Sequence, residues 1–125
     1  MKQIIRTENA PEAIGPYSQG ILSGNTLYCS GQIAINPATG NLVMDNITAE
    51  TTQVMQNIAA VLKEAEMDFS NVVKCSIFMK SMDNYAEINK VYAMSFINNP
   101  PAREAVQVSA LPKNVNVEIS VIAVK

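Results

Sequence analysis

Val72-Val73-Lys74-Cys75-Ser76-Ile77-Phe78-Met79-Lys80 lies beyond the middle of the chain, with a helical pattern on either side of it. Val73, Cys75, Ile77 and Met79 alternate with Lys74, Ser76 and Phe78, the period of a strand whose two faces meet different surroundings. Upstream, Val54, Ile58, Val61, Leu62 and Ala65 recur at helical spacing. They predict a helix capped by Thr48 and running to about Glu66. Downstream, Tyr85, Ile88, Tyr92 and Phe96 mark the apolar side of a second helix, from about Asp83 to Phe96, which Asn98-Asn99-Pro100-Pro101 stops.

The pattern outside this centre is strand-like. Lys2 to Arg6 and Ser18 to Leu22 read as short strands, and Ser23-Gly24-Asn25 suits a tight hairpin into Thr26 to Ile33. In that third strand Leu27, Cys29, Gly31 and Ile33 alternate with Tyr28, Ser30 and Gln32, which puts the polar set on the opposite face. Asn36-Pro37-Ala38-Thr39-Gly40-Asn41 is a loop by composition. Arg103 to Ser109 and Val115 to Val124 are two further strands, joined by Leu111-Pro112-Lys113-Asn114. The order is β-β-β-α-β-α-β-β, an α+β arrangement. Hairpins imply antiparallel neighbours and long helical crossovers imply parallel ones, and right-handed crossovers put both helices on one face of a six-stranded mixed sheet. The other face would stay open in a single copy, which predicts self-association.

Composition limits what such a protein does. The chain has 125 residues and shows no repeat or linker, so residues 1–125 are expected to form one domain. Charged residues are only 16% of it, well below the usual quarter, as expected if part of the surface is buried between copies. A net charge of -2 gives no field to attract nucleic acid or an anionic membrane, and the apolar stretches are too short to span a bilayer. Cys29 and Cys75 lie in apolar runs and nothing resembles a signal peptide, so they read as reduced core thiols of a cytoplasmic protein. There is no histidine, which removes the commonest general base and metal ligand. Chemistry is left to carboxylate, arginine, tyrosine, backbone and water.

Arg103 opens an apolar strand one residue after a double proline, where a guanidinium could hold a carboxylate through two hydrogen bonds. Glu118 is the only charge in the Val115–Val124 run. Spacing alone equally allows a solvated arginine and a partnered glutamate, or an Arg103–Glu118 ion pair. Gly15-Pro16-Tyr17-Ser18-Gln19 is a rigid turn delivering Tyr17. Ser30-Gly31-Gln32 offers a hydroxyl and an uncrowded backbone, although a bulge explains the glycine as well. Asn89 sits at the boundary of its helix's apolar face, and no P-loop, dinucleotide, zinc or nucleophile-elbow motif is present.

The runs Ala13-Ile14-Gly15-Pro16-Tyr17-Ser18-Gln19, Tyr28-Cys29-Ser30-Gly31-Gln32 and Pro101-Ala102-Arg103, with Ala110-Leu111-Pro112 and Val117-Glu118-Ile119, resemble the signatures of the RidA/YjgF family and span nearly the whole chain. That resemblance implies a chorismate-mutase-like fold, three sheets forming the barrel of a homotrimer, and active sites between neighbouring subunits. It implies a cofactor-free, metal-free hydrolase that converts 2-iminopropanoate and 2-iminobutanoate to 2-keto acids and ammonia. In it Arg103 clamps the substrate carboxylate, Glu118 positions or deprotonates water, and Tyr17, Ser30, Gly31 and Asn89 line the pocket. Glu104 and Ala105 stand where many members carry a small hydroxyl residue and a cysteine. If residue 105 orients substrate through its backbone, Ala105 serves, and Glu104 should point away from the pocket. The rival readings are a keto-acid- or amino-acid-binding regulatory module and a chaperone-like or translation-inhibiting RNase role. The acidic composition and absent histidine weigh against the RNase.

Overall fold

The computed structural model describes all of residues 1–125. Its elements are β1 (Lys2–Ile5), β2 (Gly20–Ser23), β3 (Thr26–Gln32), α1 (Ile47–Glu64), β4 (Val72–Met79), α2 (Tyr85–Ala93), β5 (Ala102–Gln107) and β6 (Val117–Val124). They form one six-stranded mixed sheet in the order β1-β2-β3-β6-β4-β5, with both helices packed on one face. β4 and β5 are the parallel neighbours that the α2 crossover requires. The expectation of parallel neighbours fails for β3 and β4. Both run antiparallel to β6, which is inserted between them.

Local chemistry sets the ends of the elements. β2 and β3 turn through Gly24, whose φ of +59° suits a residue without a Cβ. The cap of α1 is Asn46, not Thr48, because the Asn46 side chain accepts from the Ala49 amide at 2.8 Å. Glu66 stands just past the end of α1 with φ +59°, while its amide bonds Lys63 and that of Met67 bonds Leu62, a Schellman closure. α2 is shorter than expected. Met82–Asn84 is a 3-10 turn led by Ser81, and the backbone after Ala93 tightens into i to i+3 bonds.

Two bulges alter the strand alternation. Between Cys29 and Gln32 the β3–β6 register shifts, so Gly31 is exposed and Gln32, expected among the polar set, turns inward. Between Val72 and Lys74 a second shift buries Val72 and leaves Val73 exposed, contrary to the expected face for Val73. The rest of β4 alternates as expected, with Cys75, Ile77 and Met79 buried. The core lies between the sheet and α1, whose Val54, Ile58, Val61, Leu62 and Ala65 are all buried. A fully buried aliphatic side chain of this kind contributes about 1.5–3 kcal/mol.

The register assigns faces across the whole sheet. Ile5, Gly20, Cys29, Val121, Cys75 and Arg103 form one row on the helix-covered side. Ile4, Ile21, Tyr28, Ile122 and Lys74 form a row on the uncovered side, where Ile4 and Tyr28 are more than half exposed. No helix of the structure is long and apolar enough to cross a membrane.

Candidate functional site

Arg103 follows Pro100-Pro101 on the edge strand β5, and its pairing with Cys75 aims the side chain at α2. There its Nη1 donates to Asn89 Oδ1 and its Nη2 to Tyr85 Oη, each at 2.7 Å. The guanidinium carbon lies 5.0 Å from the Tyr92 ring centre and 5.6 Å from that of Tyr85, within cation–π range. No carboxylate of the chain pairs with it: the two ion pairs are Arg6–Glu12 and Lys74–Glu104. Arg103 is therefore a half-buried cation held by neutral acceptors, facing a cleft of about 380 Å³ that Pro100, Pro101 and Phe96 also line.

Glu118 projects from β6 on the opposite, uncovered side of the sheet, in register with Phe78. The chain makes room for it. A Cβ at Gly31 would collide with the Glu118 carboxyl group, whose carbon would lie 2.8 Å away. Partial burial raises the pKa of Glu118 above its ordinary value. A carboxyl shifted this way is suited to exchanging protons nearer neutrality.

Glu118 stands in a cleft of about 500 Å³ that Tyr17, Ser30, Gly31, Ile14 and Lys113 also line. Two clasps bring the Tyr17 turn there. Ser30 Oγ donates to the Ser18 carbonyl at 2.6 Å, and buried Gln19 bonds the Thr7 amide at 2.7 Å and the Thr7 and Pro11 carbonyls at 3.0 and 2.8 Å. On the far side Lys113 takes a left-handed backbone conformation, with φ +54°. Below it the fully buried Glu50 carboxylate accepts from both the amide and the side chain of Asn116, each at 2.8 Å, anchoring the start of β6.

The residues expected from the sequence thus form two groups. Tyr17, Ser30, Gly31 and Glu118 share one cleft, and Arg103 and Asn89 share the other. Within one chain Arg103 and Glu118 make no ion pair, so the purely structural Arg103–Glu118 bridge does not form there. Ala105 lines neither cleft; it pairs with Ile77 and packs on the core. Glu104 points away from Arg103, as expected, to Lys74 and Ser76, which hold its carboxyl below the usual range. Cys29 and Cys75 are free, buried thiols; burial pushes Cys29 up to about 12 and raises Cys75, so neither offers a thiolate. The buried Tyr92 hydroxyl lies against Cys75 without a hydrogen bond of ordinary geometry. Sequence reading overlooked Tyr85 and Tyr92 as supports of Arg103. Their spacing with Asn89, positions 85, 89 and 92 of one helix face, was the available signal.

These features define a small α+β protein with an arginine that no carboxylate of the chain pairs and a carboxyl group, in separate clefts. The family model described as Endoribonuclease L-PSP matches residues 7–125. A RutC family protein of Pyrococcus horikoshii is 49% identical over all of this chain and 99% of its own. A Capra hircus protein named 2-iminobutanoate/2-iminopropanoate deaminase is 45% identical, covering 100% of this chain and 91% of its own. The crystal structure of YyfA from Yersinia pestis, of the Rid family, superimposes with a TM-score of 0.98 at 49% identity over the whole of both chains. The chain belongs to this family, RidA/YjgF.

Proposed function

We propose that the protein hydrolyses 2-imino acids, with 2-iminopropanoate and 2-iminobutanoate as substrates, to 2-keto acids and ammonia, in sites formed where two copies meet. The observation that carries this reading is the state of Arg103. Its guanidinium is held in place by Asn89 and Tyr85, yet no carboxylate of the chain neutralises it. A carboxylate-bearing ligand supplies the missing counter-charge through paired hydrogen bonds.

A 2-imino acid protonated on nitrogen is already electrophilic at carbon. Arg103 holds its carboxylate, and Glu118 of a neighbouring copy accepts a proton from water as the water oxygen bonds to that carbon. Glu118 returns that proton to the nitrogen of the tetrahedral carbinolamine, the C–N bond breaks, and the hydroxyl becomes the keto group as it gives its proton to the departing ammonia, which leaves as ammonium. Orientation and a positioned base are the sources of rate, the base supplying typically ~10²–10⁴-fold. Tyr17, Ser30 and Gly31 form the wall beside Glu118, and the raised pKa suits a group that takes and returns one proton.

Two copies are invoked because a single sheet separates the groups. The uncovered face, with exposed Ile4, Tyr28 and Val106, is the surface that a homotrimeric barrel would bury. The test generates 2-iminopropanoate with an amino-acid oxidase while semicarbazide competes for it. Wild type should suppress semicarbazone formation and Arg103→Ala at the same oligomeric state should not. Binding of pyruvate without any suppression would favour the keto-acid-binding module instead.

A further inference from the structure

Arg103 is supported from a single stripe of α2. Tyr85, Asn89 and Tyr92 occupy positions i, i+4 and i+7, so all three side chains address one guanidinium from one helix face. We infer that Tyr85 is a positioning residue, whose hydroxyl sets the orientation of the Arg103 guanidinium so that its remaining donors meet a carboxylate from the cleft. This rests on the deaminase reading for the identity of that carboxylate, but the geometry that carries it lies within the chain.

The two hydrogen bonds divide the work. Asn89 Oδ1 accepts a hydrogen bond from Nη1 and Tyr85 Oη accepts one from Nη2, so both terminal nitrogens are tied and the planar group is fixed against rotation about Nε–Cζ. The Tyr92 ring at 5.0 Å adds attraction without using a donor. All three supports are uncharged. An aspartate or glutamate at position 85 or 89 would hold the guanidinium as well but would neutralise it, and the ligand carboxylate would have to displace an ion pair. Neutral acceptors fix direction and leave the charge for the ligand. A phenylalanine at position 85 would keep the ring contact at 5.6 Å and lose only the bond to Nη2, so the hydroxyl is separable from packing.

Tyr85→Phe tests this with two readouts. Nitrogen-15 NMR of the arginine side chains in the ligand-free protein reports rotation of the Arg103 guanidinium, and does so whether or not the protein turns over an imine. Slow rotation with distinct Nη signals in wild type, and faster averaging in Tyr85→Phe, are expected; equal rotation in both overturns the inference. In the imine assay with varied oxidase, KM should rise about tenfold, the loss of one hydrogen bond to a charged group, while kcat stays within about twofold. A variant with unchanged KM, or one whose kcat falls as KM stays constant, overturns it too. A wild type that leaves the imine untouched removes the deaminase reading alone, and the NMR result then decides the role of Tyr85.

Discussion

Arg103 and Glu118 extend from opposite faces of the same sheet: Arg103 shares its row with Cys75 under α2, and Glu118 shares its row with Phe78 on the uncovered side. Neither reaches the other within one chain, and each stands in its own cleft, Arg103 held by Asn89 and Tyr85 and Glu118 without an ion-pair partner. The expectations below follow from that separation.

Gly31→Ala should act on Glu118 rather than on the fold. Gly31 is exposed at a bulge, and the added Cβ would meet the Glu118 carboxyl group. Displacing a positioned base is expected to lower kcat by about 10²-fold, at the lower end of what such a base supplies. The thermal midpoint should move little. Steady-state kinetics beside calorimetry checks this, and an active Gly31→Ala protein would show that Glu118 tolerates displacement.

Glu118 should make stability depend on pH in a definite direction. Burial holds its pKa above the unfolded value. Its contribution to stability is therefore full below the unfolded value and is lost as pH rises through the folded one. Glu118→Gln should thus gain stability relative to wild type over the pH range above the ordinary glutamate value of about 4. Urea titrations of both proteins across that range measure the gap, and a gap that stays constant would contradict the assignment.

Glu50→Ala should destabilise the protein although Glu50 lines neither cleft. The carboxylate is fully buried and accepts both donors of Asn116, so its removal strands two polar groups and leaves a void. A loss of about 2–4 kcal/mol is expected in denaturant titrations. A change well below that would mean water replaces the carboxylate.

Much of this architecture was legible in residue order. The apolar face of α1 and the inward residues of β6 follow from periodicity, because burial acts on one face of each element, and the placement of both helices on one side follows from the handedness of crossovers. Periodicity is blind to pairing. Nothing in Val117–Val124 states that β6 inserts between β3 and β4, and the opposed faces of Arg103 and Glu118 emerge only once that register is known. Val73 and Gln32 were assigned to the wrong faces because each lies at a bulge, where an extra residue breaks the alternation. Glu50 and Asn116 are 66 positions apart, and helical spacing marks Glu50 only as a polar residue in a first turn. The candidate site residues Tyr17, Ser30, Gly31, Arg103 and Glu118 were named from motifs, and Asn89 and Ala105 from the family resemblance. Their separation into two clefts, with Ala105 in neither, was not visible there.

The most direct test of the account mixes two inactive proteins. Arg103→Ala and Glu118→Gln are each expected to fold, assemble and leave 2-iminopropanoate to semicarbazide. Unfolded together in equal amounts and refolded, they should form mixed assemblies in which about a quarter of the sites pair an intact Arg103 from one copy with an intact Glu118 from another. Recovery of about a quarter of the activity of wild type refolded in the same way is the expected result. A mixture as inactive as its two components, beside an active refolded wild type, would contradict a site built from two copies.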